Sequence, residues 1–344
     1  MSTKIKEIFK NSIIVDGMFH DILEDPPPEC EIGKNIVDMI LEGGVNCMVN
    51  SIQYDWYPGS FKDLCHEVYD HFLLQDVLCD KFMIVEKFED IARAKEEGKL
   101  AFIMSTQGSN IFEGDVRNIS LCYKLGLRII QITYNGECAM GSGVYVPQDN
   151  GLTYFGRQAI IEMNRIGMVI DVSHVGYRTA METIEASEAP IIYSHSGVKA
   201  VSDHRRNVSD DHIRALTAKG GVLGICPHCI MTTNDTSKRP TVEHFIDAMV
   251  HIADISGSMD HAGVGTDRWS RDTLGNEFQR VGVDRIIKGA FANYDSNSKH
   301  VEGFNYYNEW ENLVDRMLAR GFSEADVTKV LGGNFLRVFK EVWK

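Results

Sequence analysis

The chain lacks any apolar run long enough to span a membrane, and its start, MSTKIKEIFKNSIIVDG, lacks the uninterrupted apolar stretch of a secretory signal. It lacks positive charge as well. Its 49 acidic and 35 basic residues give a formal net charge of −14, the wrong sign for the counterion release that drives nucleic-acid binding. Its eight cysteines, Cys30, Cys47, Cys65, Cys79, Cys122, Cys138, Cys226 and Cys229, form no regular framework in a chain of 344 residues. Internal repeats, low-complexity tracts and linkers are also missing. The expectation is a cytoplasmic protein with mostly free thiols that acts on a small molecule, with no nucleic-acid or membrane partner.

What the chain does have is a recurrence of short β-branched runs separated by amphipathic stretches. Eight runs stand out, at 13–16, 45–51, 100–105, 128–133, 168–172, 191–194, 222–226 and 262–266. Their near-continuous hydrophobicity suits parallel strands covered on both faces, and each is followed by enough chain for a crossover helix. The expected fold is α/β, a single (β/α)8 barrel over residues 1–344 with C-terminal helices. FEDIARAKEEGK reads as a helix ending at Gly98, with Lys95 and Lys99 near its negative end. SEADVTKVLGGNFLRVFKEVWK starts at Ser323 as N-cap and is split by Gly332 and Gly333 into two short helices. The least regular stretch, 269–307, is expected to form a helix around VDRIIKG and a flap over the barrel mouth.

Two of the runs end alike, in GMVIDVSHVG and APIIYSHSG, so His174 and His195 both emerge at carboxyl ends of buried strands. That end is where (β/α)8 barrels do chemistry. One such histidine has an ordinary explanation as a satisfied core or capping residue. Two with the same local grammar, followed by VGTD ending at Asp267, suggest converging ligands for zinc or a related divalent ion. Such an ion would acidify water and so provide a nucleophile without serine or cysteine, with Asp267 as ligand, proton acceptor or both. The ordinary alternative for Asp267 is an N-cap.

The run GLTYFGRQAIIEMNRIGMVIDVSHVGYRTAMETIEASEAPIIYSHSGVKAVSDHRRNVSDD resembles the core of the renal (membrane) dipeptidase family of metallopeptidases, and the resemblance extends from IIVDG to LGGNFLRVF. It implies a TIM-like barrel of the amidohydrolase type, a homodimer, two zinc ions and hydrolysis of dipeptides. His174 and His195 match the family's two histidine ligands on one metal. Asp267 matches the aspartate that binds the other metal and handles protons. Arg206, in HRRN, matches the arginine that grips the substrate carboxylate, a task suited to a planar guanidinium; its ordinary alternative is a surface salt bridge.

Four positions, serving three functions of the site, depart from the family pattern. Where the family has DGHND this chain has DGMFHD, with Met18 at the histidine position and His20 at the aspartate position. Gln107 stands for the bridging glutamate, and Tyr134 for the histidine that polarises the scissile carbonyl. Two dications about 3.5 Å apart repel by roughly 19 kcal/mol at an effective dielectric near 20, and a neutral amide cannot offset that repulsion as a carboxylate does. The expectation is therefore one divalent ion, zinc, held by His174 and His195, with Asp267, His20 or Gln107 as further ligands. His20 could equally serve only as a hydrogen-bonding group in the barrel mouth. Tyr134 could donate to a developing oxyanion or be an ordinary strand-end aromatic. Met18 suits packing better than ligation, since a thioether is a soft donor. The CPHC motif at Cys226 and Cys229 would mean redox work in a thioredoxin-like setting; on a barrel strand it reads better as pocket lining.

The functional expectation is a metal-dependent hydrolase of a small amide, dipeptide or N-substituted amino acid. Its rivals are a non-hydrolytic enzyme of methylated-amine breakdown and a metal-free binding protein.

Overall fold

The computed structural model describes residues 2–20, 22–23, 34–55, 59–235, 237–268 and 300–344. Nine parallel strands make up one sheet: β1 (Val15–His20), β2 (Cys47–Tyr54), β3 (Phe82–Ile84), β4 (Leu100–Gln107), β5 (Ile129–Gln131), β6 (Val169–Asp171), β7 (Ile192–Ser196), β8 (Val222–Ile225) and β9 (Ala262–Val264). Eight of them run in the order β1-β2-β4-β5-β6-β7-β8-β9. The ends meet where Met18 O accepts from Asp267 N and His20 N donates to Arg268 O, each at 2.9 Å, closing a (β/α)8 barrel. These eight correspond to the eight runs expected from the sequence. β3 is the addition. It borders the first half of β4 (Phe82 opposite Leu100), before β5 takes over that edge from Ser105 onward.

Alternation along the strands divides the core in two. Val15, Cys47, Val49, Ala101, Ile103, Ile129, Val169, Ile192 and Val222 share an inner cluster with Phe335, Val338 and Phe339, which come from the C-terminal helix Asn334–Val342. Met48, Phe102, Met104, Ile130, Ile170 and Leu223 belong to the larger cluster shared with the helical layer. The ring of Phe335 fits because three strands carry glycine beneath it. A Cβ at Gly17, Gly224 or Gly263 would lie 2.8, 3.0 or 2.6 Å from that ring.

Gly224 is the most constrained of the three, since its Cβ would also lie 2.1 Å from the Ser194 carbonyl oxygen. Backbone cannot retreat as a flexible side chain can, so Gly224→Ala is expected to cost about 1–3 kcal/mol. Urea unfolding would show this as a lower midpoint with an unchanged slope.

The C-terminal segment is split as expected, into Glu324–Thr328 and Asn334–Val342, with non-helical backbone at Gly332. The helix Phe88–Glu96 precedes Gly98, whose φ is +71°. Lys95 lies in the last turn of that helix, as expected, and its ammonium donates to the carbonyls of Phe9 and Ser12 at the end of the first helix; Lys99 pairs with Glu97 at 2.7 Å. The helix and flap expected within 269–307 lie outside the described residues up to 299. From 300 onward the chain bridges to the barrel rim, with His300 opposite His228 and Glu302 opposite Thr241. Among the described residues no helix is long and apolar enough to cross a membrane, and no disulfide joins any cysteine.

Candidate active site

Carboxyl ends of the strands deliver the polar side chains to one mouth of the barrel. Two of the carriers have left-handed backbone, His174 at φ 65° and Asp267 at φ 52°. That conformation costs a non-glycine residue about 1–3 kcal/mol and persists only where surrounding contacts enforce it. At His174 the enforcement comes from Asp171, a fully buried carboxylate at the end of β6. It accepts from Ser173 Oγ at 2.7 Å and from Ser194 Oγ at 2.5 Å, and His195 N donates to Ser173 Oγ at 3.1 Å. The repeated Ser-His grammar is thus one clamp, in which both serines bind a single aspartate and hold the two histidines side by side.

The same hydrogen bonds favour one pair of tautomers. With the proton of Ser194 directed to Asp171, the serine oxygen 2.8 Å from His195 Nδ1 is placed to accept, which suits hydrogen on His195 Nδ1. His174 Nδ1 faces the side-chain oxygen of Asn135 at 2.8 Å, which suits hydrogen there too. Each Nε2 then presents a lone pair, and the two face one another at 2.9 Å. Burial first, then the charge of Arg206 and the neighbouring imidazole, push the His174 pKa well below its ordinary value, so a proton is a poor bridge between them. A divalent ion is a good one. Two imidazole nitrogens at about 2.0–2.1 Å from one ion lie about 2.9–3.4 Å apart at right-angled to tetrahedral geometry.

Asp267 is the hub of the opposite wall. Its Oδ1 lies 2.8 Å from His20 Nε2 and 3.9 Å from His195 Nε2, and its Oδ2 lies 3.4 Å from His228 Nε2. His20 stacks on Tyr54 with ring centroids 5.3 Å apart. Gln107 is fully buried and donates from Nε2 to the Met18 sulfur at 3.6 Å, while its Oε1 meets no partner among the described residues. Arg206 is only 8 % exposed and donates to the His195 carbonyl at 3.3 Å. No ion pair engages it among the described residues, and its burial does not suit a surface salt bridge. With His174, Tyr177 and Tyr193 it lines a cavity of about 290 Å³. Tyr134 stacks on His174 with centroids 4.3 Å apart, and burial raises its pKa far enough to keep the phenol protonated, hence a donor.

A family model described as Membrane dipeptidase (Peptidase family M19) matches residues 73–282 and 278–344. The chain belongs to the membrane dipeptidase family. Among curated relatives, the dipeptidase tcpJ of Claviceps purpurea is 29% identical over 271 residues, covering 78% of this chain and 57% of that protein. Dipeptidase 3 of Rattus norvegicus is 27% identical over 271 residues, covering 77% and 50%. The chain thus spans little more than half the length of these relatives. Among solved structures, an amidohydrolase from Pseudomonas aeruginosa superposes with a TM-score of 0.84 at 26% identity, covering 98% of this chain and 99% of that one.

As a dipeptidase-family barrel of metallopeptidase descent, the chain keeps a donor set that suits a divalent ion at the His174–His195 pair. Met18 and Gln107 form an uncharged pair where the resemblance puts histidine and glutamate. Sequence reading missed Asp171 and Asn135, which favour the two tautomers. Asp171 was legible in principle as an acid closing an otherwise apolar strand; Asn135 adjoins the candidate Tyr134, but nothing in a loop amide shows which histidine it will meet.

Proposed function

We propose that this chain is a metal-dependent hydrolase of small amides, dipeptides or N-substituted amino acids bearing a free carboxylate, with one tightly held zinc ion per chain. The observation that carries this reading is the 2.9 Å approach of His174 Nε2 to His195 Nε2, next to a buried guanidinium that no ion pair engages among the described residues. When bound there, a divalent ion supplies Lewis acidity and lowers the pKa of water toward neutrality. His174 and His195 hold it, with Asp267 and His20 within reach on the other wall.

The chain's own residues do the rest. Arg206 binds the substrate carboxylate and aligns the amide along the cavity. Asp267 accepts the proton released as water adds to the carbonyl carbon, and returns it to the departing nitrogen as the C–N bond breaks. Tyr134 donates its phenolic hydrogen to the oxygen that gains charge, replacing an imidazole with a neutral donor.

A substrate screen across dipeptides and N-methylated amino acids in heavy-oxygen water tests the reaction. Solvent oxygen is expected in the acyl product; a product free of it would show elimination instead. Arg206→Ala is expected to weaken binding of the free-acid substrate by about 2–5 kcal/mol, the usual result of truncating one partner of a buried charged contact. The corresponding methyl ester should bind both forms alike in calorimetry. Unchanged affinity for the free acid would remove Arg206 from the substrate site.

A further inference from the structure

The CPHC segment after β8 is absorbed by nothing described so far. Its two thiols face different surroundings. Cys229 sits in the short helix Cys229–Thr232 near Arg239, and burial pushes its pKa up to about 12. Cys226 is anchored at the strand end by its N–H to Ser196 O at 2.7 Å, is 1 % exposed, and directs Sγ to within 3.9 Å of the Thr266 carbonyl, one residue before Asp267. One sulfur, one imidazole nitrogen and one carboxylate oxygen, from Cys226, His228 and Asp267, lie within 4.8 Å of one another.

We propose that Cys226, His228 and Asp267 form a second metal position, distinct from the His174–His195 pair, for a borderline-soft divalent ion such as zinc or cobalt. The donor chemistry is that of a three-ligand zinc site with an open fourth position. The geometry is close to it already. Nitrogen and oxygen donors at about 2.0–2.2 Å from a tetrahedral ion lie about 3.4 Å apart, and His228 Nε2 and Asp267 Oδ2 are separated by 3.4 Å.

Charge decides why a second ion would sit here and not at the first-strand position. Met18 and Gln107 offer no anion, whereas Cys226 as thiolate and Asp267 offer two. Asp267 also stands between the two positions, with Oδ1 toward His195 and Oδ2 toward His228, so one carboxylate offsets part of the repulsion between the ions. The residual repulsion makes this the weaker position, filled on adding metal and not retained through purification. The proposal shares Asp267 with the hydrolase reading, but Cys226 and His228 take no part in that reading, so a second equivalent of metal that follows their loss separates the two.

Cobalt titration of the metal-stripped full chain tests it. Two equivalents should bind, and the weaker should bring a near-ultraviolet thiolate-to-cobalt charge-transfer band. Cys226→Ser should abolish the band and the second equivalent, and Cys229→Ser should keep both. His228→Asn should weaken the second equivalent at least roughly tenfold, since even supporting residues of metal sites carry that much affinity. His174→Ala should lose the first equivalent and keep the band. As a readout on unmutated protein, zinc-edge X-ray absorption should show a sulfur neighbour at about 2.3 Å once the second equivalent is loaded. No thiolate band and no sulfur neighbour at saturation, or a band that survives Cys226→Ser, would overturn the proposal.

Discussion

Protein purified with His174→Ala or His195→Ala is expected to carry close to no divalent ion, where the wild type carries close to one per chain by mass spectrometry of the dissolved metal. The expectation rests on tautomers, not only on residue type. Ser194 and Asn135 are placed to accept from the two Nδ1 atoms, which turns the two Nε2 lone pairs toward each other at 2.9 Å. Without a cation that arrangement is repulsive, and with one it is a ligand pair. Stability should therefore change sign with metal. Metal-free His195→Ala should melt no lower than metal-free wild type beyond the loss of packing, because the opposed lone pair is gone. With zinc added, only the wild type should gain stability in proportion to ligand occupancy. Wild type that carries two tightly held ions from purification would overturn the single-ion reading. Wild type that carries none after growth with added zinc and manganese would favour a binding protein in place of an enzyme.

How far the sequence reached follows from what each residue's role depends on. Barrel strands are legible because both faces are buried, which turns them into unbroken apolar runs. β3 was passed over although β5, β6 and β9 are equally short, because it borders only β4 and stands outside the eight-strand ring that the expected fold calls for. His174, His195 and Asp267 are legible because strand ends are where such barrels place chemistry. Their partners are not. Asp267 pairs with His20 across the seam that closes the barrel, a contact between residues far apart in the chain, and only closure brings them to 2.8 Å. Arg206 is placed by a motif, but only its burial separates a substrate ligand from a surface ion pair.

The largest gain of function is expected from rebuilding the first-strand position. Met18→His, His20→Asp and Gln107→Glu together restore an imidazole, a carboxylate and a bridging anion at the residues that now pair a thioether with an amide at 3.6 Å. The triple variant is expected to hold one more divalent ion than the wild type, counted after purification in a Cys226→Ser background so that the weaker position cannot contribute. Gln107→Glu alone should gain less and should melt lower. Its carboxylate would replace an amide that is fully buried against Met18, with no cation or first-strand ligand to balance the charge. Zinc should raise the melting temperature of the triple variant more than that of Gln107→Glu, since only the former offers enough donors to hold a second ion. Dipeptide hydrolysis in the triple variant should stay below that of family members with a carbonyl-polarising histidine, because Tyr134 offers a neutral donor in its place. A folded triple variant with no more metal than its parent would show that Met18, His20 and Gln107 do not mark a lost metal position, and the charge argument for a single tightly held ion would fall with it.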